Sequence, residues 1–150
     1  MLFRSKPWVK APPLKPSQIV YIGLRDLDPF EEEFIRKHDI VNYTGEDIHS
    51  VGINYILDDC SKCITDKKIH YSFDIDAMEP VIAPSTGTPV EDGLECYDVY
   101  NIHHKMFESG EVINCDFVEY NPEIGDTFDN EITKNTYRKI INQFMSLYSK

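Results

Sequence analysis

Short β-branched apolar runs alternate along this chain with stretches whose apolar residues recur every three or four positions. Residues 18–24 (QIVYIGL) predict a buried strand. Asp28-Pro29-Phe30-Glu31 then opens a helix: Asp28 can cap it, Pro29 suits its first position and Glu31 completes a capping box. Residues 40–43 predict a second strand, and Thr44 with Asp47 offers another cap. Ile48, Val51, Tyr55 and Ile56 follow at helical spacing. Residues 69–75 (IHYSFDI) predict a third strand, and residues 76–94 a long loop holding Pro80, Pro84, Pro89, Gly87 and Gly93. Val99, Ile102, His103 and Met106 mark a third helix, residues 112–118 a fourth strand, and Tyr137, Ile140, Ile141, Phe144, Met145 and Tyr148 a final helix. Strands alternating with helices predict an α/β fold, a three-layer αβα arrangement with a mostly parallel sheet. The near-continuous apolar runs predict strands buried on both faces.

At 150 residues the chain is one domain's worth, with a hydrophobic fraction of 41% that can supply a real core. Residues 1–17 read as a separate basic arm. They hold Pro7, Pro12, Pro13 and Pro16 beside Arg4, Lys6, Lys10 and Lys15, with no acid. Prolines at that density oppose helix and central strand alike, leaving residues 18–150 as the α/β part. No apolar run approaches the ~18 residues of a membrane span, so no membrane partner is expected. The net charge of −11 argues against a nucleic-acid groove and suits a cationic small substrate or metal ions. Four cysteines with no secretory leader pattern point to a reducing, cytoplasmic setting. Cys60 and Cys63 have CxxC spacing, but no second pair completes a zinc site, and the pair is read as incidental.

In open α/β sheets, sites form beyond the carboxyl ends of the strands. The third strand ends Ser72-Phe73-Asp74-Ile75-Asp76. Two residues apart on a strand, Asp74 and Asp76 would share a face, their Cα atoms roughly 6.5 Å apart. Such carboxylates repel unless a cation lies between them, and oxygen donors favour hard divalent ions. The proline-stiffened loop that follows suits a preorganised site. The fourth strand ends at Glu119, just before Tyr120-Asn121-Pro122, where an acid could pair with a guanidinium or ammonium group.

Residues 72–93, with SFDIDAMEP and PSTGTPVEDG, resemble the third signature of the ureohydrolase superfamily, binuclear manganese enzymes that hydrolyse guanidino groups. Ser85-Thr86-Gly87-Thr88-Pro89-Val90 is more similar to arginases than to agmatinases, as are Tyr21 to Pro29 and Asp116 to Pro122. The resemblance covers about residues 18–148. It implies that Asp74 bridges two manganese ions, that Asp76 ligates one of them, and that Glu119 and Thr88 receive the substrate guanidinium. It implies hydrolysis of L-arginine to L-ornithine and urea, by a water that paired ions activate. Glu79 departs from the family's usual Asp, and Glu91-Asp92-Gly93 from its Gly-Gly pair.

The resemblance is to the carboxyl-terminal half alone. The family's GGDHS-like and DAHxD-like segments, which bring four further metal ligands and part of the proton relay, do not occur in this sequence. His38, His49, His70, His103 and His104 lie in neither context. His103 and His104 read as ordinary helix residues and His70 as a strand residue, so no catalytic residue is assigned. The resemblance also implies that the family's DAHxD strand lies between the counterparts of residues 18–24 and 69–75, so both would lack a neighbour here. Three accounts compete: a fragment of a full arginase, a decayed and non-catalytic remnant, and one half of a split enzyme or an interaction subunit. An agmatinase-type ureohydrolase is a further alternative. Expected partners are L-arginine, a complementing half or a homo-oligomer, trimeric by the family's tendency.

Overall fold

A computed structural model describes residues 13–149. Of the basic arm expected over residues 1–17, residues 1–12 lie outside the described residues, and Pro16–Gln18 form a single 3-10 turn. Strand β1 (Val20–Leu24) leads to helix α1 (Pro29–Lys37), β2 (Val41–Thr44), α2 (Gly45–Val51), α3 (Ile53–Ile64), β3 (Lys68–Asp74), α4 (Cys96–Ser109), β4 (Glu111–Val118) and α5 (Thr127–Tyr148). The caps read from sequence are in place. Asp28 accepts from the backbone N–H groups of Phe30 and Glu31, while Thr44 and Asp47 cap α2 reciprocally.

The four strands form two parallel pairs rather than one sheet. β1 pairs with β2, Val20 facing Val41 and Leu24 facing Thr44. β3 pairs with β4, Lys68 facing Glu111 and Asp74 facing Val118. Among the described residues no ladder joins the two pairs. The α/β class with parallel strands stands, and the missing ladder falls where the sequence lacks a strand. In the β3–β4 pair the register slips at Ile113, which rephases β4 so that Val112, Cys115 and Phe117 face the helices.

The helices α3, α4 and α5 lie side by side, and one apolar cluster runs from α3 (Ile53, Ile56, Leu57) through α4 (Val99, Ile102) to α5 (Ile140, Phe144) and β3. Phe144 is fully buried, with Tyr71, His103, Phe107 and Phe117 around it at ring-centroid separations of 5.1–5.8 Å. The opposite face of β3 and β4 is open: Lys68, His70, Ser72, Asp116 and Val118 are exposed. The expectation of strands covered on both faces therefore fails for this pair. The pattern alternates, and among the described residues it is the inward ones that pack into the helical core.

A second correction concerns the helix expected from Ile48 through Ile56. Gly52 (φ +83°) breaks it, shifting the phase between α2 and α3. Ile48 and Ile56 are buried, whereas Val51 and Tyr55 turn outward. The final helix also begins at Thr127, well before its apolar stripe, because Asp126 and Asp129 form a capping box there.

Candidate functional site

The carboxyl ends of β3 and β4 lie side by side because the strands are parallel and in register to Asp74 and Val118. Asp74 is the last residue of β3. Asp76 is not on the strand, as the sequence suggested, but in a 3-10 turn, Ile75–Ala77. Its backbone N–H donates to the Asp74 carboxylate (3.0 Å), so the first aspartate shapes the turn that carries the second. Both are half-buried. Burial first, then the charge of Asp74, pushes the Asp76 carboxyl up to about 6. The Asp74 hydrogen bond and the Glu119 charge add to the rise, and Arg25 opposes it. The charges of Asp74 and Glu119 thus both reach Asp76 from the neighbouring strand ends, despite the turn. Tyr137 of α5 joins the group: burial and then the Asp74 charge push its phenol up to about 12.

Glu119 follows β4 in a left-handed conformation (φ +66°), which a non-glycine residue seldom adopts. Its backbone carbonyl accepts from the Thr86 hydroxyl at 3.1 Å. Thr86 and Ser85 are fully buried, while Gly87 and Thr88 are exposed at the tip of the same loop. Among the described residues no hydrogen bond joins Thr88 to Glu119, whereas Thr86 holds Glu119 directly.

Arg25, just beyond β1, is another residue to which sequence reasoning assigned no role. Its guanidinium donates to the carbonyls of Gly23 (2.7 Å), Ala77 (3.2 Å) and Asp76. It therefore ties the end of β1 to the 3-10 turn holding Asp76. Its position at a strand's carboxyl end was the available signal. The departures at Glu79 and at Glu91-Asp92-Gly93 also meet: the Glu79 carboxylate accepts from the Gly93 N–H at 2.9 Å. A Cβ at Gly93 would come within 2.5 Å of the Met78 carbonyl carbon, so the glycine is required there. His103 is buried, bonded to Gln143 and Tyr71, and His70 is exposed beside Asp116 at 3.0 Å.

Asp74 and Asp76 offer hard oxygen donors of the kind manganese takes. In number they fall short: a hard divalent ion fills about six oxygen positions, and among the described residues no three His, Cys, Asp or Glu side chains converge to hold a metal ion. The carboxylate pair fits part of a metal site, not a whole one.

The class that the fold and these residues define is an α/β chain of parallel strand pairs, with two aspartates at one strand end and a left-handed glutamate just past the next. Comparison places it further. Residues 1–146 match the Arginase family, and the chain belongs to that family. It is 36% identical to the hepatic arginase of Aquarana catesbeiana over 147 residues, 95% of this chain and 44% of that one. It is 38% identical to the mitochondrial arginase-2 of Homo sapiens over 120 residues, 78% of this chain and 34% of that one. Among solved structures, the arginase of Entamoeba histolytica in complex with L-ornithine superposes with a TM-score of 0.79 at 33% identity. That superposition covers 87% of this chain and 44% of that one. The chain thus spans less than half the length of these relatives. The family match includes the amino-terminal arm, which the resemblance read from sequence left out.

Proposed function

We propose that this chain supplies the guanidinium-binding side and two of the metal ligands of an arginase site, acting in the hydrolysis of L-arginine to L-ornithine and urea. The observation that carries the reading is placement: Asp74 ends β3 opposite Val118, Asp76 and Glu119 follow the two paired strand ends, and the charges of Asp74 and Glu119 both raise the Asp76 pKa. Asp74 and Asp76 would hold manganese, with further ligands from outside this chain. Such ions, when bound, activate water for attack at neutral pH. The chain's own residues bind and orient. The Glu119 carboxylate pairs with the substrate guanidinium through charge-assisted hydrogen bonds. Thr88, on the exposed loop beside it, adds a hydroxyl to that pocket. Arg25 holds the Asp76 turn in place and lends it positive charge. Four free cysteines suit a reducing compartment, and the cytoplasm is the location we assign.

A second reading, a non-catalytic interaction subunit, draws on the open face of β3 and β4 and on the incomplete ligand set. Urea release from arginine with added manganese separates the two. The chain is assayed alone and mixed with the portion of the Aquarana catesbeiana enzyme that it does not match. Urea from the mixture, and none from either part, supports a shared active site. A stable complex that yields no urea supports the interaction subunit and rejects the catalytic reading.

A further inference from the structure

We infer that Thr86 is a positioning residue for Glu119: its buried hydroxyl clamps the Glu119 carbonyl and so holds the left-handed turn that presents the carboxylate at the strand ends. This rests on the reading of Glu119 as the guanidinium acceptor, but the clamp itself can be measured without it.

The strand pattern shows why a clamp is needed. In β4, Phe117 points toward the helices and Val118 away from them, with Val118 38% exposed. An extended continuation would aim Glu119 inward again, into the apolar layer beside α5. The turn to φ +66° takes it out of that alternation. Left-handed backbone is unfavourable for a residue with a Cβ and persists only where the surroundings over-determine it. Here they do so on both sides of the turn. Thr86, 1% exposed, donates its hydroxyl to the Glu119 carbonyl, and the Asn121 N–H donates to the Ser85 carbonyl at 3.2 Å. The Ser85 N–H is in turn fixed on Thr133 of α5 at 2.8 Å, and the Thr133 hydroxyl donates to the Asp129 carbonyl at 3.0 Å. The longest helix thus anchors the Ser85-Thr86 segment, and that segment anchors the turn. Of these links, only the Thr86 hydroxyl acts on Glu119 itself.

The test uses nuclear magnetic resonance on the full chain. The Cα and Cβ shifts of residue 119 report its backbone region, and the Glu119 side-chain carboxyl shift reports binding of guanidinium chloride at concentrations far below denaturing. Thr86→Val keeps the shape and removes the hydroxyl, whereas Thr86→Ser keeps the hydroxyl. The expected result is loss of the left-handed signature in T86V, its retention in T86S, and guanidinium affinity about tenfold weaker in T86V alone, the loss expected for one hydrogen bond. A left-handed signature unchanged in T86V overturns the inference. Should T86V not fold, the unmodified chain decides: a slowly exchanging Thr86 hydroxyl proton with a cross-peak to Glu119 Hα supports the clamp, and its absence overturns it. If the unmodified chain shows the signature but no response to guanidinium, the functional reading of Glu119 fails and the clamp stands.

Discussion

His103 sits with no exposure between α4, β3 and α5, its imidazole bonded to Gln143 and to Tyr71. Gln143 offers its Oε1, an acceptor, so Nδ1 carries the proton and Nε2 accepts from the Tyr71 hydroxyl. A second proton, on Nε2, would require the Tyr71 hydroxyl to turn from donor to acceptor. Burial, only partly offset by the Gln143 bond, lowers the His103 pKa from 6.5 to about 4. The folded state therefore holds fewer protons than the unfolded state between those values, and stability falls as pH drops through that window. Going from pH 7 to pH 5, His103 contributes a loss of about 2 kcal/mol. Chemical denaturation of His103→Gln, which cannot titrate, should show a correspondingly flatter decline over that interval; an unchanged slope would remove His103 from the account. Its place on an apolar helical stripe was legible in sequence and its polar partners were not, because Tyr71 and Gln143 meet it only through tertiary packing. The same holds for Thr86, whose Oγ1 contact lies across 33 residues of chain.

At the scale of elements, caps were the most legible feature because they are local. Asp28 with Glu31 and Thr44 with Asp47 needed only a three-residue spacing. The break at Gly52 was missed because apolar residues happen to keep helical spacing across it. Both flanking helices share that glycine as a cap residue, at φ +83° and with open space where a Cβ would stand. Sterics therefore permit a side chain there and backbone conformation opposes it. Gly52→Ala should cost about 1–2 kcal/mol, read as a lower denaturation midpoint with an unchanged slope. A neutral substitution would mean that α2 and α3 can re-form as one helix. The Asp76 turn was misread for a related reason. The apolar run continues through Ile75, which is buried in the 3-10 turn rather than on the strand. The two aspartates still act on one another, because Asp74 caps the turn itself.

The whole molecule keeps the relative placement of its parts found in complete arginases, superposing over 87% of its length on the Entamoeba histolytica structure. Yet its strands form two unjoined parallel pairs, and one face of β3 and β4 lacks cover within the described residues. The sequence foretold the gap, because the signature it carries belongs to one half of the family's pattern. The exposed face was not foretold, since apolar runs such as residues 69–75 read alike in doubly and singly covered strands. Unpaired strand edges and an open sheet face favour association with a polypeptide that completes them. Arg25 bridges the two pairs only at their carboxyl ends, next to the candidate site.

The most direct test is the manganese content of the complex between this chain and the unmatched portion of the Aquarana catesbeiana arginase, measured after dialysis. The account predicts about two ions per complex, lost on Asp74→Ala and kept on substitution of the exposed His104 by alanine. Full retention of manganese by the Asp74→Ala complex would contradict it.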